Sequence, residues 1–295
     1  QTWEWGEIKR AAGWEPFRLM AKQDGVVVGA VSILKKRLSL GWSILYASRG
    51  PVVAEKESLE PLAAAIRDLA SRSRAVFARI SPEVAGDGWD ERMGRSGFRR
   101  AVREMQHRTT LRIDLGRSPD EILKAMEGRT RSAIRKAEKT GLAVEDRDDP
   151  EAFDVFAALY DDLARRKAVS ALDRSHFASL ATILGASGRA RVFVARLGGE
   201  PVAGALIVTS ADKAWYLYGA TLEKGRGANP TEAIQWAVIR WAQKKGLRWY
   251  DLQGIPDDPE ASPSARGLYL STWAGTEAEA RRLLDDVERW SVDRG

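Results

Sequence analysis

From Pro16 to Leu34 the chain reads PFRLMAKQDGVVVGAVSIL, with β-branched and apolar residues alternating on both sides of Asp24-Gly25. Alternation with a period of two puts every second side chain on one face of a strand, and Asp-Gly supplies the positive φ of a two-residue turn, so strand, turn and strand are predicted. RVFVARLGGEPVAGALIV, from Arg191, repeats the pattern, with Gly29 and Gly204 each standing before an Ala and an aliphatic residue. Both copies continue alike. GWSILYASRGPVV, a helix over Leu59 to Ser73 and the strand AVFARI follow the first; KAWYLYGATL, a helix over Pro230 to Lys245 and the strand RWYDLQG follow the second. Five elements recurring in one order predict a duplicated unit. Residues 142–165 add a leading strand and helix to the second copy, and Gln1 to Ala12 a leading helix to the first.

The stretch between the copies has a helical period instead. In Ser118-Pro119-Asp120-Glu121 a capping Ser, a Pro at the first helical position and a Glu three residues after the cap satisfy the orphan N–H groups of a helix start. Leu123, Met126, Thr130, Ala133, Ile134 and Ala137 keep helical spacing as far as Gly141, which suits the left-handed residue that ends a helix. One helix over Pro119 to Thr140 is predicted. Its other face is basic: Arg129, Arg131, Arg135, Lys136 and Lys139 fall within eleven residues against one acid, Glu138. Arg131, Arg135 and Lys139 stack at four-residue spacing, where like charges repel by roughly 0.2–0.5 kcal/mol per pair. Such a face is either solvated or turned to an anion.

Strand, strand, strand, helix, strand after a leading helix is the order of GNAT-type acyltransferase domains, whose mixed sheet is flanked by helices. The expected fold is α/β with mixed sheets, as two GNAT-like acyltransferase domains in tandem: residues 1–140 with the linking basic helix, and residues 141–295. A chain of 295 residues, 44% hydrophobic, can fill two such cores. No apolar run approaches the roughly 18 residues of a membrane span, and residues 1–15 carry acids and tryptophans, so the sequence predicts no transmembrane segment and a cytoplasmic protein. With no cysteine, and with His107 and His176 as the only imidazoles, thiolate nucleophiles and Cys-ligated zinc are excluded and metal catalysis is not expected. A net charge of +6 suits nucleic acid, a phosphorylated metabolite or an acidic lipid headgroup, or serves solubility alone.

Gln1, Trp3, Trp5-Gly6-Glu7, Lys9, Gly13-Trp14, Pro16 and Arg18 together resemble the N-terminal signature of the FemABX peptidyltransferases. Arg49-Gly50-Pro51-Val52 resembles that family's Arg-Gly-Pro after the third strand, and Arg108-Thr109-Thr110 through Ile113-Asp114-Leu115 its inter-domain strand. Arg131, Ile134-Arg135-Lys136-Ala137 and Gly141 resemble its basic helix, while Tyr216, Tyr218-Gly219-Ala220, Pro230, Trp236 and Tyr250-Asp251-Leu252 through Gly254-Ile255 are similar to its second domain. The resemblance spans Gln1 to Tyr269 and implies two GNAT-like domains, as the internal repeat does. Without the charged coiled-coil insertion of longer members, the chain is similar to the short, FemX-like form.

The reaction this resemblance implies moves an amino acid from aminoacyl-tRNA to the stem peptide of a peptidoglycan precursor, a UDP-muramyl pentapeptide or lipid II, with no cofactor. The lipid-linked acceptor allows peripheral membrane contact. An ester is already activated, so the enzyme has to bring the reactants together, hold the oxyanion and take a proton from an ammonium of pKa about 10.4. Asp251, at the end of the strand RWYDLQG where GNAT-like sheets open onto ligand, is the candidate catalytic carboxylate; the competing reading, a structural cap of the next turn, fits the position better, and the proton could instead leave through a ribose hydroxyl or phosphate. The resemblance sets the acceptor's diphosphate against Lys36, from the cluster Lys35, Lys36 and Arg37, and against Arg166 with Arg165 at the end of the second domain's first helix. Both clusters also fit as cations ending their elements. Tyr216 and Tyr218 alternate with Trp215 on one strand, so their face either stacks a uracil and packs a peptide or belongs to the core. Arg131, Arg135 and Lys139 are assigned to the acceptor end of tRNA.

Two features depart from the family pattern. Leu270-Ser271-Thr272-Trp273 follows Gly267-Leu268-Tyr269 where the family carries an Arg-Phe-Lys-type segment, and losing one donor aimed at an oxyanion costs about 3 kcal/mol. An amphipathic helix, EAEARRLLDDVERW from Glu277 to Trp290, is expected in place of the closing strand. A CoA-dependent N-acyltransferase is the alternative enzyme, because Gly225-Arg226-Gly227 stands where that fold's pyrophosphate loop lies, although Leu222 takes the place of its leading Arg or Gln. A non-catalytic module binding tRNA or precursor is the alternative without chemistry.

Overall fold

The computed structural model describes residues 1–82, 88–101, 105, 109–167, 172–255 and 270–272. The chain divides into two compact units, the first built on Gln1–Gln106 and the second on His107–Thr272. In the first, helix α1 (Trp3–Ala11) precedes the strands β1 (Glu15–Gln23), β2 (Val26–Arg37), β3 (Ser43–Ser48) and β4 (Val52–Val53), then α2 (Leu59–Arg72), β5 (Ala75–Ser81) and α3 (Trp89–Arg95). β1, β2 and β3 pair antiparallel, α2 crosses over, and β5 joins parallel to β3. The hairpin forms where predicted because Asp24 and Gly25 both take positive φ, 51° and 83°. Leu62, Ile66 and Leu69 of α2 pack on Val31, Ile33 and Leu45 of the sheet.

The N-terminal signature holds α1 on this sheet. Arg18 lies 3.6 Å over the Trp3 ring, donates to the Trp3 carbonyl at 3.0 Å and pairs with Glu7 at 2.6 Å. A Cβ on Gly6 would meet that guanidinium at 2.6 Å, so glycine is what admits it. The Gln1 amide accepts from the Ser32 N–H at 2.5 Å and donates to the carbonyls of Ser32 and Ser48, tying β2 to β3.

The second unit contains β6 (Thr109–Asp114), α4 (Pro119–Ala125), α5 (Gly128–Lys139), β7 (Ala143–Arg147), α6 (Pro150–Lys167), α7 (Arg174–Leu180), β8 (Ala190–Leu197), β9 (Glu200–Ser210), β10 (Lys213–Thr221), α8 (Pro230–Lys244), β11 (Trp249–Ile255) and β12 (Leu270–Thr272). Its sheet runs β12-β6-β11-β10-β9-β8-β7. β8, β9 and β10 pair antiparallel, α8 crosses over and β11 joins parallel to β10, so both units have the mixed-sheet order expected of GNAT-like domains. Phe193, Ala203, Ala205 and Ile207 form the core with Ile234, Val238 and Ile239 of α8.

Four expectations change. First, β6, α4 and α5, which the sequence assigns to residues 1–140, belong to the second unit: β6 pairs with β11 from Asp114↔Trp249 to Thr109↔Ile255, and Ile134 of α5 joins the core of α8. Second, the helix predicted over Pro119 to Thr140 is two helices. The capping box at Ser118 and Glu121 is present, but Met126 and Glu127 take extended backbone, with ψ of 155° and 150°. Ile122 and Met126 are both drawn into the core, and Gly128, a poor helix former, follows. Arg131 closes the break by donating to the carbonyls of Met126 and, at 3.3 Å, Lys124. Third, Gly29 and Gly204 face opposite ways. A Cβ on Gly29 would meet Leu62 of α2 at 2.9 Å, on the crossover side, whereas one on Gly204 would meet Phe156 of the leading helix α6 at 2.9 Å. Fourth, Leu270–Thr272 pairs antiparallel with β6, so part of the segment that departs from the family pattern is a strand. Trp273, Gly267–Tyr269, His107, Arg108 and the helix predicted from Glu277 to Trp290 lie outside the described residues.

Gly204→Ala is expected to lower stability by about 1–3 kcal/mol in urea titration, because Phe156 and Leu159 are packed core side chains that cannot withdraw from a new methyl group. Gly227→Ala, with nothing within 4 Å of its Cβ, should change stability much less.

Candidate functional site

β10 and β11 are hydrogen-bonded only from Lys213↔Trp249 to Trp215↔Asp251, although β10 runs on to Thr221 and β11 to Ile255. Beyond that point the sheet opens. On β10 a bulge lies between Tyr216, opposite Ile207, and Tyr218, opposite Leu206. One extra residue reverses the faces of the strand. Tyr216 therefore packs on the α8 side, its hydroxyl so close to the position of a Gly219 Cβ, 1.6 Å, that no other residue fits there. Tyr218 turns to the other side, among Tyr160 at 5.8 Å, Phe177 at 6.0 Å and His176, whose Nε2 lies 3.2 Å from its hydroxyl. The expectation that the two tyrosines share a face is thus corrected. Burial raises the Tyr216 pKa, and burial followed by the neighbouring Tyr160 pushes Tyr218 up to about 12, so both stay neutral hydroxyls near pH 7.

Beside the opened strands lies a cleft of 390 Å³, lined among others by Lys167 of α6, Tyr216 and Thr221 of β10, Arg226 and Asn229 of the following turn, and the first residues of α8. Asn229, with φ of 54°, turns the chain into α8; the helix start and Lys167 favour an anionic ligand, while Arg226 is paired with Glu223 at 3.1 Å and Glu232 also lines the cleft. Gly225 of the same turn is required by packing, since its Cβ would meet Val202 Cβ at 2.5 Å. That explains the glycine without a pyrophosphate.

The other candidates fall as follows. Arg166 pairs with Asp162 at 2.7 Å and Glu223 at 3.6 Å and donates to the Thr221 carbonyl at 2.5 Å, so it pins the end of α6 to the end of β10. Arg165 is exposed, 4.0 Å from Asp162. The cations lining the cleft are instead Lys167, last of the same basic run, and Arg226. Asp251 is 0% exposed; its Oδ1 accepts from the Thr110 hydroxyl at 2.6 Å and from the Gln253 N–H at 2.7 Å, where Gln253 has φ of 69°. A carboxylate so enclosed caps the turn and does not line the cleft. Lys36, in the first unit, lines a separate 400 Å³ cleft with Arg10, Trp14, Glu15, Lys35 and Arg37; its ammonium lies 3.4 Å from the Gly13 carbonyl and 5.6 Å over the Trp14 ring. Arg135 and Lys139 are exposed on α5, whereas Arg131 is spent on the carbonyls that end α4. Asn229 and the His176–Tyr218 contact escaped the sequence reading. Asn229-Pro230 was legible as a helix start, but nothing local marks His176 as a neighbour of β10.

Among the described residues no helix is long and apolar enough to cross a membrane. The tandem units and the opened parallel strands define a tandem GNAT fold. Residues 126–260 match the model described as an acetyltransferase (GNAT) domain, and residues 1–94 match that of the FemAB family. A lipid II:glycine glycyltransferase of Staphylococcus aureus is 24% identical over an alignment of 348 positions that covers 91% of this chain and 82% of that protein. A crystal structure of FemX superposes with a TM-score of 0.80 at 24% identity, covering 92% of this chain and 90% of the other, and a tandem GNAT protein from the clavulanic acid biosynthesis pathway with 0.53 at 13%, covering 88% and 80%. The chain is thus similar to FemABX aminoacyltransferases along nearly its whole length, through the FemAB model over its first unit and the glycyltransferase and FemX over both.

Two outcomes follow from this geometry. Arg131→Gln should cost about 1 kcal/mol of stability through the carbonyls it leaves, whereas Arg135→Gln and Lys139→Gln should melt like the parent chain and, if α5 meets tRNA, each lower the salt slope of tRNA binding by about 1 in filter-binding assays. Asp251→Ala should destabilise the fold by roughly 1–3 kcal/mol by leaving the Gln253 N–H without its acceptor, the Thr110 hydroxyl keeping the Gln253 carbonyl at 2.8 Å, while Asp251→Asn, which keeps an Oδ1 acceptor, should melt and turn over much as the parent does. Loss of turnover in a normally folded Asp251→Asn would return the carboxylate to the chemistry.

Proposed function

We propose that this enzyme transfers the aminoacyl group of an aminoacyl-tRNA to an amine of a muramyl stem peptide, presented as UDP-muramyl pentapeptide or lipid II, and so builds the interpeptide bridge of peptidoglycan. The observation that carries the reading is similarity over both units to a relative named for glycyl transfer to lipid II, together with the FemAB-family match over residues 1–94. The geometry supports it. The place where β10 and β11 part gives an extended substrate room beside main-chain donors, and Lys167 and Arg226 supply positive charge for phosphates. The amine attacks the ester carbonyl, the C–N bond forms, the tRNA ribose oxygen leaves, and the ammonium proton passes to water or to the departing ribose or phosphate. Proximity and oxyanion stabilisation suffice for an activated ester, and no covalent enzyme intermediate is needed. Arg135 and Lys139 would meet the tRNA, and Lys36, with the basic residues around it, a diphosphate.

A CoA-dependent acyl transfer is the second reading, favoured by the GNAT-domain match over residues 126–260 and by a cleft at the start of α8. Incubation with charged tRNA pools and a muramyl pentapeptide should give, by mass spectrometry, an acceptor heavier by one amino-acid residue, with no gain from uncharged tRNA. Absence of that gain together with saturable heat from acetyl-CoA in calorimetry would replace the first reading with the second.

A further inference from the structure

The first unit leaves large apolar side chains in solvent at one end of its sheet. Leu38 and Trp42, 44% and 45% exposed, flank Leu40, 86% exposed, in the connection between β2 and β3, and Val76 at 61% and Phe77 at 49% stand on β5. These positions are neighbours. The Leu38 N–H donates to the Trp42 carbonyl at 2.8 Å, closing the loop, the Ser43 N–H reaches the Arg74 carbonyl at 3.1 Å, and Ser43 pairs with Ala75 next to Val76. Leu40, at the tip, takes φ of 58°, a left-handed conformation that strains a leucine and delivers its side chain to water instead of the core.

Cations outnumber acids around the patch, with Glu15 and Asp68 paired to Lys35, Arg37 and Arg72 at its margin. Arg74 lies 5.0 Å over the Trp42 ring, and the Arg37 side chain is 81% exposed, 3.6 Å from Glu15. From Leu34 to Ala54 and from Leu69 to Pro82 the sequence holds Lys35, Lys36, Arg37, Arg49, Arg72 and Arg74 among its cations and no Asp or Glu. A tryptophan and leucines at a tip, ringed by cations, match the boundary between headgroups and acyl chains of an anionic bilayer. A second copy of the chain fits less well, because a two-fold contact would set Arg37 and Arg74 against their own kind.

We propose that the Leu38–Trp42 loop, with Val76 and Phe77 beside it, docks the first unit on an anionic lipid surface, its apolar tips in the headgroup boundary and Arg37 and Arg74 against lipid phosphates. This docking goes beyond aminoacyl transfer and does not depend on it. Its bearing on the acceptor does rest on that reading: Lys36, two residues from Leu38, lines the basic cleft that would then lie beside the diphosphate of a lipid-linked substrate.

The test is flotation of the full chain with vesicles of phosphatidylglycerol and phosphatidylcholine, against phosphatidylcholine alone. The parent chain should float with the anionic vesicles and be released by salt, and Leu40→Ser with Trp42→Ser should weaken binding by about tenfold or more. The variant's melting and its turnover of the water-soluble UDP-muramyl pentapeptide should stay as in the parent. Failure of the parent to float, or equal flotation of the variant, overturns the proposal. So does sedimentation showing a dimer that the double variant dissolves without any lipid binding, which would make a second copy the occupant. A chain that floats yet transfers no amino acid would sink the functional reading and leave the docking surface intact.

Discussion

A buried carboxylate stands at the point where β10 and β11 part. Asp251 has no exposed surface, and an ionisable group so enclosed persists only where polar neighbours replace its water. Thr110 from β6 and the Gln253 amide from the turn beyond do so. Because Thr110 comes from a strand that precedes the repeated elements in the chain, the opening of the second sheet is fixed from outside the repeat. β6 therefore cannot belong to the first unit, and the pairing of β6 with β11, interrupted between Asp251 and Gly254, sets how β11 leaves β10.

What was legible in the sequence was local. Hairpins, leading helices and the capping box at Ser118 declare themselves through alternation, turn dipeptides and cap residues, each of which acts within a few residues. The features that shape the site arise from packing between distant elements. Nothing around Tyr216-Leu217-Tyr218 marks a bulge, yet the bulge decides that one tyrosine meets the cleft and the other a ring cluster. The break at Met126 and Glu127 lies within an unbroken helical period, and Gly128, a poor helix former, directly follows it. Gly29 stands four residues after Gly25, and Gly204 five after Gly199; with a side-chain period of two, that single residue sends them to opposite faces.

Charge shows the same division between what is local and what is not. The basic run from Arg129 to Lys139 reads as one face, but Arg131 is occupied by the carbonyls that end α4, and Glu127 pairs with Arg129 at 2.8 Å. Arg166, chosen for a diphosphate, is held by Asp162 and the Thr221 carbonyl. Several residues of the family signature, Gln1, Gly6, Arg18 and Gly50 among them, serve the attachment of α1 and the junction of β2 with β3. A signature of that kind reports how a scaffold is fastened, so it identifies the family more readily than it identifies the chemistry.

The two units share an order of elements but not an opening. In the first, the parallel ladder of β3 and β5 runs, with one irregularity between Ser43 and Leu45, from Ser43↔Ala75 to Ser48↔Ser81, and the Ser81 N–H continues it to the Gly50 carbonyl at 3.1 Å. In the second, the equivalent ladder stops after three pairs. A closed sheet offers no main-chain donors between its parallel strands, because each is already bonded to the neighbouring strand. The first copy therefore offers no such donors between β3 and β5, whereas the second has them where β10 and β11 part. The first copy carries a basic cleft around Lys36 and an apolar, cationic corner at Leu38–Trp42. Duplication thus leaves two copies of one fold that differ where their parallel strands meet, and the proposed division into reaction at the second unit and anion capture at the first rests on that difference.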